Sequence, residues 1–104
     1  MDTFHIVRPA RKAPINQTLV GYVGSGDLEV MIDNSDSPQA DIYIHSSSSA
    51  GEQRWLALIE RIEANQPLPM MRMDIHDFSA TPGVIRLRLE QALEQALTKE
   101  TSYE

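Results

Sequence analysis

The stretch Thr18-Leu19-Val20-Gly21-Tyr22-Val23-Gly24-Ser25-Gly26-Asp27-Leu28-Glu29-Val30-Met31-Ile32 decides how this chain folds. Two alternating apolar runs flank a Gly-Ser-Gly-Asp centre, and a period of two marks half-buried strands. A two-residue loop at Gly24-Ser25, which suits a type II′ turn, sets Leu19 opposite Val30. A four-residue loop from Gly24 to Asp27 sets Leu19 opposite Ile32 and Val23 opposite Leu28. Either even loop keeps the apolar residues on one face, whereas an odd loop mismatches them. The expectation is therefore a hairpin over residues 18–33 with Leu19 turned inward. At its tip Ser25 stands between two glycines, so no neighbouring side chain shields its hydroxyl.

Working outward, Thr3 to Val7 reads as a strand, followed by an irregular arm to residue 17 that contains Pro9 and Pro14. Asp41 to His45 alternates with Ile42 and Ile44 inward. Ser46 to Ser49 reads as a loop leading into a helix. Trp55, Leu58, Ile59 and Ile62 recur at helical spacing, giving one apolar stripe and a helix over 54–64 that Pro67 and Pro69 end. Met71, Met73 and Ile75 alternate with Arg72, Asp74 and His76 as a further strand. Thr81 is placed to cap a second helix, with Pro82 at its first position. Ile85, Leu89, Ala92, Leu93, Ala96 and Leu97 form its inner stripe over 83–97. The residues from Lys99 on read as a frayed tail.

These elements make one α+β domain spanning residues 1–104, the size of a single core. The fold expected is a mostly antiparallel or mixed sheet of four to five strands with two helices packed on one face. Leu19, Val30, Ile44, Trp55, Leu58, Ile62, Ile75, Phe78, Leu89 and Leu93 are the expected core.

The formal net charge is −6, unevenly placed. From Ser25 to Gln53 there is no Lys or Arg, while Asp27, Glu29, Asp33, Asp36, Asp41 and Glu52 are acidic. Such a surface repels nucleic acid and steers toward basic protein surfaces. Asp27 and Glu29, next to Ser25, are the expected docking side. There is no cysteine, so no disulfide and no thiolate metal site. No segment has the length of a membrane span and Met1 to His5 has no apolar signal core, so the cytoplasm is the expected compartment.

A serine nucleophile needs a base and an oxyanion hole. The Gly-x-Ser-x-Gly elbow is absent because Asp27 holds its fifth position, and no phosphate loop ending in Gly-Lys occurs. The histidines His5, His45 and His76 have no spacing that ties them to Ser25. Asp74 and His76 share a strand face, with His45 and Asp77 as further donors, but no third ligand is implied. No catalytic residue and no metal site is assigned. Among the serines, which include Ser35, Ser37 and Ser79, only Ser25 is distinguished by its setting.

Val20-Gly21-Tyr22-Val23-Gly24-Ser25-Gly26-Asp27-Leu28-Glu29-Val30 resembles the prosthetic-group motif of the acyl carrier (delta) subunits of biotin-independent malonate decarboxylases. Ile75-His76-Asp77-Phe78-Ser79-Ala80-Thr81-Pro82-Gly83-Val84, followed by Arg86 to Gln91, is similar to that family's C-terminal signature, in which position 79 is usually Gly. Arg54-Trp55 and Asn65 to Pro69 fit between them, so the likeness covers about residues 18 to 97. The resemblance implies that Ser25 carries 2′-(5″-phosphoribosyl)-3′-dephospho-coenzyme A through a phosphodiester, with Gly24 and Gly26 flanking the attachment. It implies a thiol that bears acetyl and malonyl groups between a transferase (alpha) subunit and a decarboxylase (beta, gamma) pair. A prosthetic-group transferase would act during maturation, and the carrier itself would catalyse nothing. The absent cysteine agrees, since the thiol comes from the cofactor. Phosphates on that arm would be repelled by Asp27 and Glu29. Two alternatives stand beside this reading: a citrate lyase-type acyl carrier with the same group, and a small unmodified acidic interaction protein. The 75–84 block favours the malonate enzyme over the first, and intact mass separates the second.

Overall fold

Among the described residues seven elements follow one another: β1 (Asp2–Arg8), β2 (Thr18–Gly21), β3 (Leu28–Asp33), β4 (Ala40–Ser46), α1 (Glu52–Asn65), β5 (Met71–Asp77) and α2 (Pro82–Leu97). The structure, a computed structural model, describes residues 2–47 and 51–98. The expected tail from Lys99 on, and Ser48 and Ser49 of the serine run, lie outside the described residues.

The strands form one mixed sheet in the order β1-β4-β5-β3-β2. Only β4 and β5 run parallel. A parallel pair needs a long crossover, and α1 supplies it. The remaining pairs are antiparallel. Period-two alternation puts Ile42, Ile44, Met73, Ile75, Val30 and Ile32 on one face, all fully buried or nearly so. Both helices cover that face. Trp55, Ile59 and Ile62 of α1, and Ile85, Leu89, Ala92, Leu93 and Ala96 of α2, join the same core. Two expected core members, Leu58 and Phe78, are half-buried. Among the described residues no helix is long and apolar enough to cross a membrane.

The helix ends follow local chemistry. Thr81 accepts a hydrogen bond from the Val84 N–H at 3.3 Å, with Pro82 directly after it. At the far end, the Asn16 side-chain amide donates to the carbonyls of Thr98 (2.6 Å) and Gln95 (3.2 Å). The irregular arm thus occupies carbonyls that a helix C-terminus leaves without partners. The arm also runs past residues 68–70: Arg11 N–H donates to Leu68 O at 2.8 Å, and Met70 N–H to Arg11 O at 3.0 Å.

The hairpin register corrects the even-loop expectation. β2 pairs Thr18 with Ile32, Leu19 with Met31, Val20 with Val30 and Gly21 with Glu29. An odd number of residues, Tyr22 to Leu28, therefore separates the last pair. Thr18 and Val20 face the core, and Leu19 is 60% exposed. Two local facts permit this. The Thr18 hydroxyl donates to Asn16 O at 3.0 Å, so burial leaves it satisfied. Gly21 takes φ +103°, and its Cα is so close to the Leu28 carbonyl that a Cβ would lie 2.0 Å from that oxygen. The Tyr22 N–H donates to the same carbonyl at 3.0 Å. This bend ends β2 at Gly21, and Tyr22 and Val23 leave the sheet exposed.

Candidate functional site

The turn Gly24–Asp27 stands at the end of β3, braced from the side. Its own closure is the Asp27 N–H donating to Gly24 O at 3.1 Å. Ser25 and Gly26 are therefore the central residues. Gly26 has φ +82°, the left-handed third position of a type II turn. The expected type II′ turn with Gly24-Ser25 at its centre is corrected by one residue. Two further bonds fix the turn to the connection between β5 and α2: Gly26 N–H to Phe78 O at 2.7 Å, and Phe78 N–H to Asp27 O at 2.9 Å.

Asp27 completes the brace. One carboxylate oxygen accepts the Leu28 N–H at 2.7 Å. Arg88 on α2 grips both oxygens, Nε to Oδ1 at 3.1 Å and Nη2 to Oδ2 at 2.8 Å. Bidentate guanidinium–carboxylate pairs fix orientation as well as charge. Arg88 is held in turn by Gln91 at 3.2 Å. The Arg88 hydrogen bond, then the Leu28 N–H, hold the Asp27 carboxyl below its usual value of 3.8. A carboxylate whose pKa falls on folding contributes stability that is fully present above its unfolded pKa. That contribution is lost as pH falls through the folded value. Arg88→Met is expected to move the Asp27 titration midpoint, followed by carboxyl NMR, up toward the ordinary range. Equal midpoints in the variant and wild type would show that Arg88 does not hold this carboxylate.

At the tip, Ser25 is exposed, and its hydroxyl makes no hydrogen bond among the described residues. Every other described serine is engaged. Ser35 and Ser37 accept backbone N–H groups, Ser46 donates to Asp77 at 2.8 Å, and Ser47 meets the Asp77 carbonyl and Ser79.

Glu29 lies on the opposite face of the sheet, 3.8 Å from His76 Nδ1. Asp27 reaches the helix side through Arg88. The two acids expected to form one docking side are thus split between faces, and Asp27 has its charge matched. His45 and His76 stack at 4.8 Å on the outer face. Asp74 there is bound to Arg72 at 3.0 Å, while Asp77 is buried on the inner face, accepting from Ser46 and from the Ala80 N–H at 2.9 Å.

Sequence reasoning missed Arg88, which lies 61 residues from its partner, and the backbone of Phe78. The pair's spacing carried no signal. The second block held one clue in Ser79, which sits at φ +64°, a region that costs a non-glycine residue about 1–2 kcal/mol. Ser79→Gly relieves that strain, partly offset by greater freedom of the unfolded chain and by loss of the 3.2 Å contact with Ser47. The expected net gain is about 0.5 kcal/mol, read from the urea midpoint; a loss of stability would refute the strain.

The family model described as "Malonate decarboxylase delta subunit (MdcD)" matches residues 15–96. The chain belongs to the malonate decarboxylase delta subunit family. It is 47% identical over 95 residues to the malonate decarboxylase acyl carrier protein of Pseudomonas fluorescens (strain SBW25), covering 91% of this chain and 96% of that protein. It is 45% identical over the same shares to that of Stutzerimonas stutzeri (strain A1501). A chain in the crystal structure of a Pseudomonas malonate decarboxylase hetero-tetramer in complex with malonate superposes with TM-score 0.84 at 44% identity. The match covers 90% of this chain and 97% of that one. As a delta subunit, the chain is an acyl carrier subunit of malonate decarboxylase.

Proposed function

We propose that Ser25 is the covalent attachment point of a dephospho-coenzyme A-derived prosthetic group, joined as a phosphodiester, and that the chain is a non-catalytic carrier working in the cytoplasm. One observation carries this reading: Ser25 offers an exposed hydroxyl, without a partner among the described residues, at the tip of a turn that is braced on both sides of it. The turn has room for a bulky substituent. A Cβ at Gly26 would meet nothing within 4 Å, and one at Gly24 would meet only the Tyr22 ring. Bound there, the group would supply the thiol on which acyl groups travel. The protein's own part is to hold the hydroxyl at a fixed point, so that tethering raises the effective concentration of the acyl group at each partner. The partners in this reading are the transferase (alpha) and decarboxylase (beta, gamma) subunits, with a prosthetic-group transferase in maturation.

The intact mass of protein made together with its own maturation enzymes tests this. The expected result is one added group, located by peptide mapping on the fragment bearing Ser25. An unmodified mass, or modification elsewhere, would overturn the reading and favour the unmodified interaction protein.

Asp27 and Glu29 enter docking unequally. Asp27 first braces the turn, while the half-buried Glu29 presents a carboxylate on the outer face. Rim charges act on association rate and salt dependence. Glu29→Gln is expected to slow association with the transferase subunit about twofold at low salt, with unchanged folding. Identical rates would confine Glu29 to solubility.

A further inference from the structure

Between the helices lies a cleft of about 370 Å³, lined by Arg54, Trp55, Leu58 and Arg61 of α1 and by Ala80 and Ile85 on the far side. The volume is in the range of small-molecule sites. Its charges are unassigned. Arg8, Arg72, Arg86 and Arg88 each have a carboxylate partner, whereas Arg11, Arg54 and Arg61 have none among the described residues, and of these three only Arg54 and Arg61 line the cleft. Seven positions apart on one helix, these two point along the same side. Two unpaired guanidinium groups beside one cleft, on a chain of net charge −6, form an anion site suited to phosphate oxygens.

The lining adds a second requirement. Trp55, Leu58 and Ile85 offer apolar and aromatic surface. The Trp55 indole N–H is shielded from solvent and has no acceptor among the described residues, in a residue only 3% exposed. A buried donor without a partner is unfavourable, and natural structures rarely leave one so. At the buried end Asp77 has its carboxyl oxygens engaged by Ser46 and Ala80 N–H, which leaves the arginine side for an anion. The complementary ligand is a flat heteroaromatic ring with acceptor nitrogens, joined to a sugar that carries a phosphate ester.

We propose that the cleft between α1 and α2 binds a purine nucleotide, with its phosphate on Arg54 and Arg61 and its base against Trp55. Two sources have that chemistry: a free nucleotide, or the adenosine phosphate portion of the group proposed on Ser25. Only the second rests on the Ser25 reading. The fold links the two places: Asp77 and Ala80, which line the cleft, flank Phe78, whose backbone bonds hold the Ser25 turn.

Trp55 is the chain's one tryptophan and so reports on the cleft directly. Protein made without maturation enzymes is titrated with AMP, following Trp55 emission and backbone amide shifts. A saturable change with Kd below about 1 mM is expected. Arg54→Gln and Arg61→Gln should each weaken it about tenfold. Lys12→Gln should leave it unchanged, and adenosine should bind at least tenfold more weakly than AMP. Because both arginines are exposed, their variants keep the core intact. No saturable change up to about 10 mM AMP, equal affinity in the arginine variants, or adenosine binding as well as AMP would each overturn the site. Matured protein then separates the sources. At least tenfold weaker AMP binding than in the unmodified chain identifies the tethered arm as occupant, and unchanged binding identifies a free nucleotide. The titration of unmodified protein stands whatever mass is found on Ser25, so the two proposals fail separately.

Discussion

A complex rebuilt with Ser25→Ala should contain a normally folded carrier and release no carbon dioxide from malonate. Both halves follow from the turn. The Ser25 side chain is exposed and bonds to nothing described, and its position in a type II turn accepts any residue with ordinary negative φ. Removing its oxygen should therefore change stability by no more than about 0.5 kcal/mol. The loss of activity should be total because every other described serine is already bonded, so no neighbour offers an equivalent hydroxyl. The measurement pairs carbon dioxide release by the reassembled complex with the urea midpoint of the isolated subunit. An active complex containing only the variant would end the assignment of Ser25. A large fall in the midpoint would show that the hydroxyl has a structural partner instead.

The helices and most of the sheet were legible because each rests on local pattern. The stripe Trp55, Ile59, Ile62 and the Thr81-Pro82 start reappear in α1 and α2 nearly at their expected bounds. Alternation in 41–45 and 71–76 gave the right inward residues, since the helices cover the chosen face. Leu19 failed for a physical reason. Hydropathy ranks Leu above Thr for burial, but register is set for the whole strand at once. The close approach of Gly21 to the Leu28 carbonyl fixes that register. In the sequence Gly21 is one position of an alternating run, and nothing local marks it as the point that defines the pairing.

The site was half legible. Ser25 and its glycines stand out locally, but what holds them does not. Phe78 and Arg88 act across more than fifty residues, the first through backbone groups that carry no sequence signature. Asp27 looked like surface charge because its partner was invisible, and so the acidic side was drawn as one patch when the fold divides it.

The register argument makes its strongest claim at Gly21. Gly21→Ala should destabilise the domain by about 3 kcal/mol or more, combining an unfavourable positive φ with a forced steric displacement. The new Cβ would lie 2.0 Å from the Leu28 carbonyl oxygen and 3.0 Å from its carbon. The obstacle is backbone, held in the β3 ladder, so no side chain can swing away. Relief requires β2 to part from β3 or to slip by a residue, which would turn Thr18 and Val20 out of the core. The nearby glycines provide the controls. Gly26→Ala meets open space but keeps φ +82°, so it should cost about 1 kcal/mol. Gly24→Ala meets only the ring of exposed Tyr22, which can rotate, so the change should stay within about 0.5 kcal/mol. Urea midpoints of the three variants should rank Gly21→Ala far below Gly26→Ala, and Gly26→Ala below Gly24→Ala. Attachment at Ser25 should be retained in Gly24→Ala, because the turn that presents the hydroxyl closes through the residue 24 carbonyl and needs no glycine there. A Gly21→Ala variant as stable as Gly24→Ala would mean that β2 is free to choose its register, and the outward position of Leu19 would then need another cause.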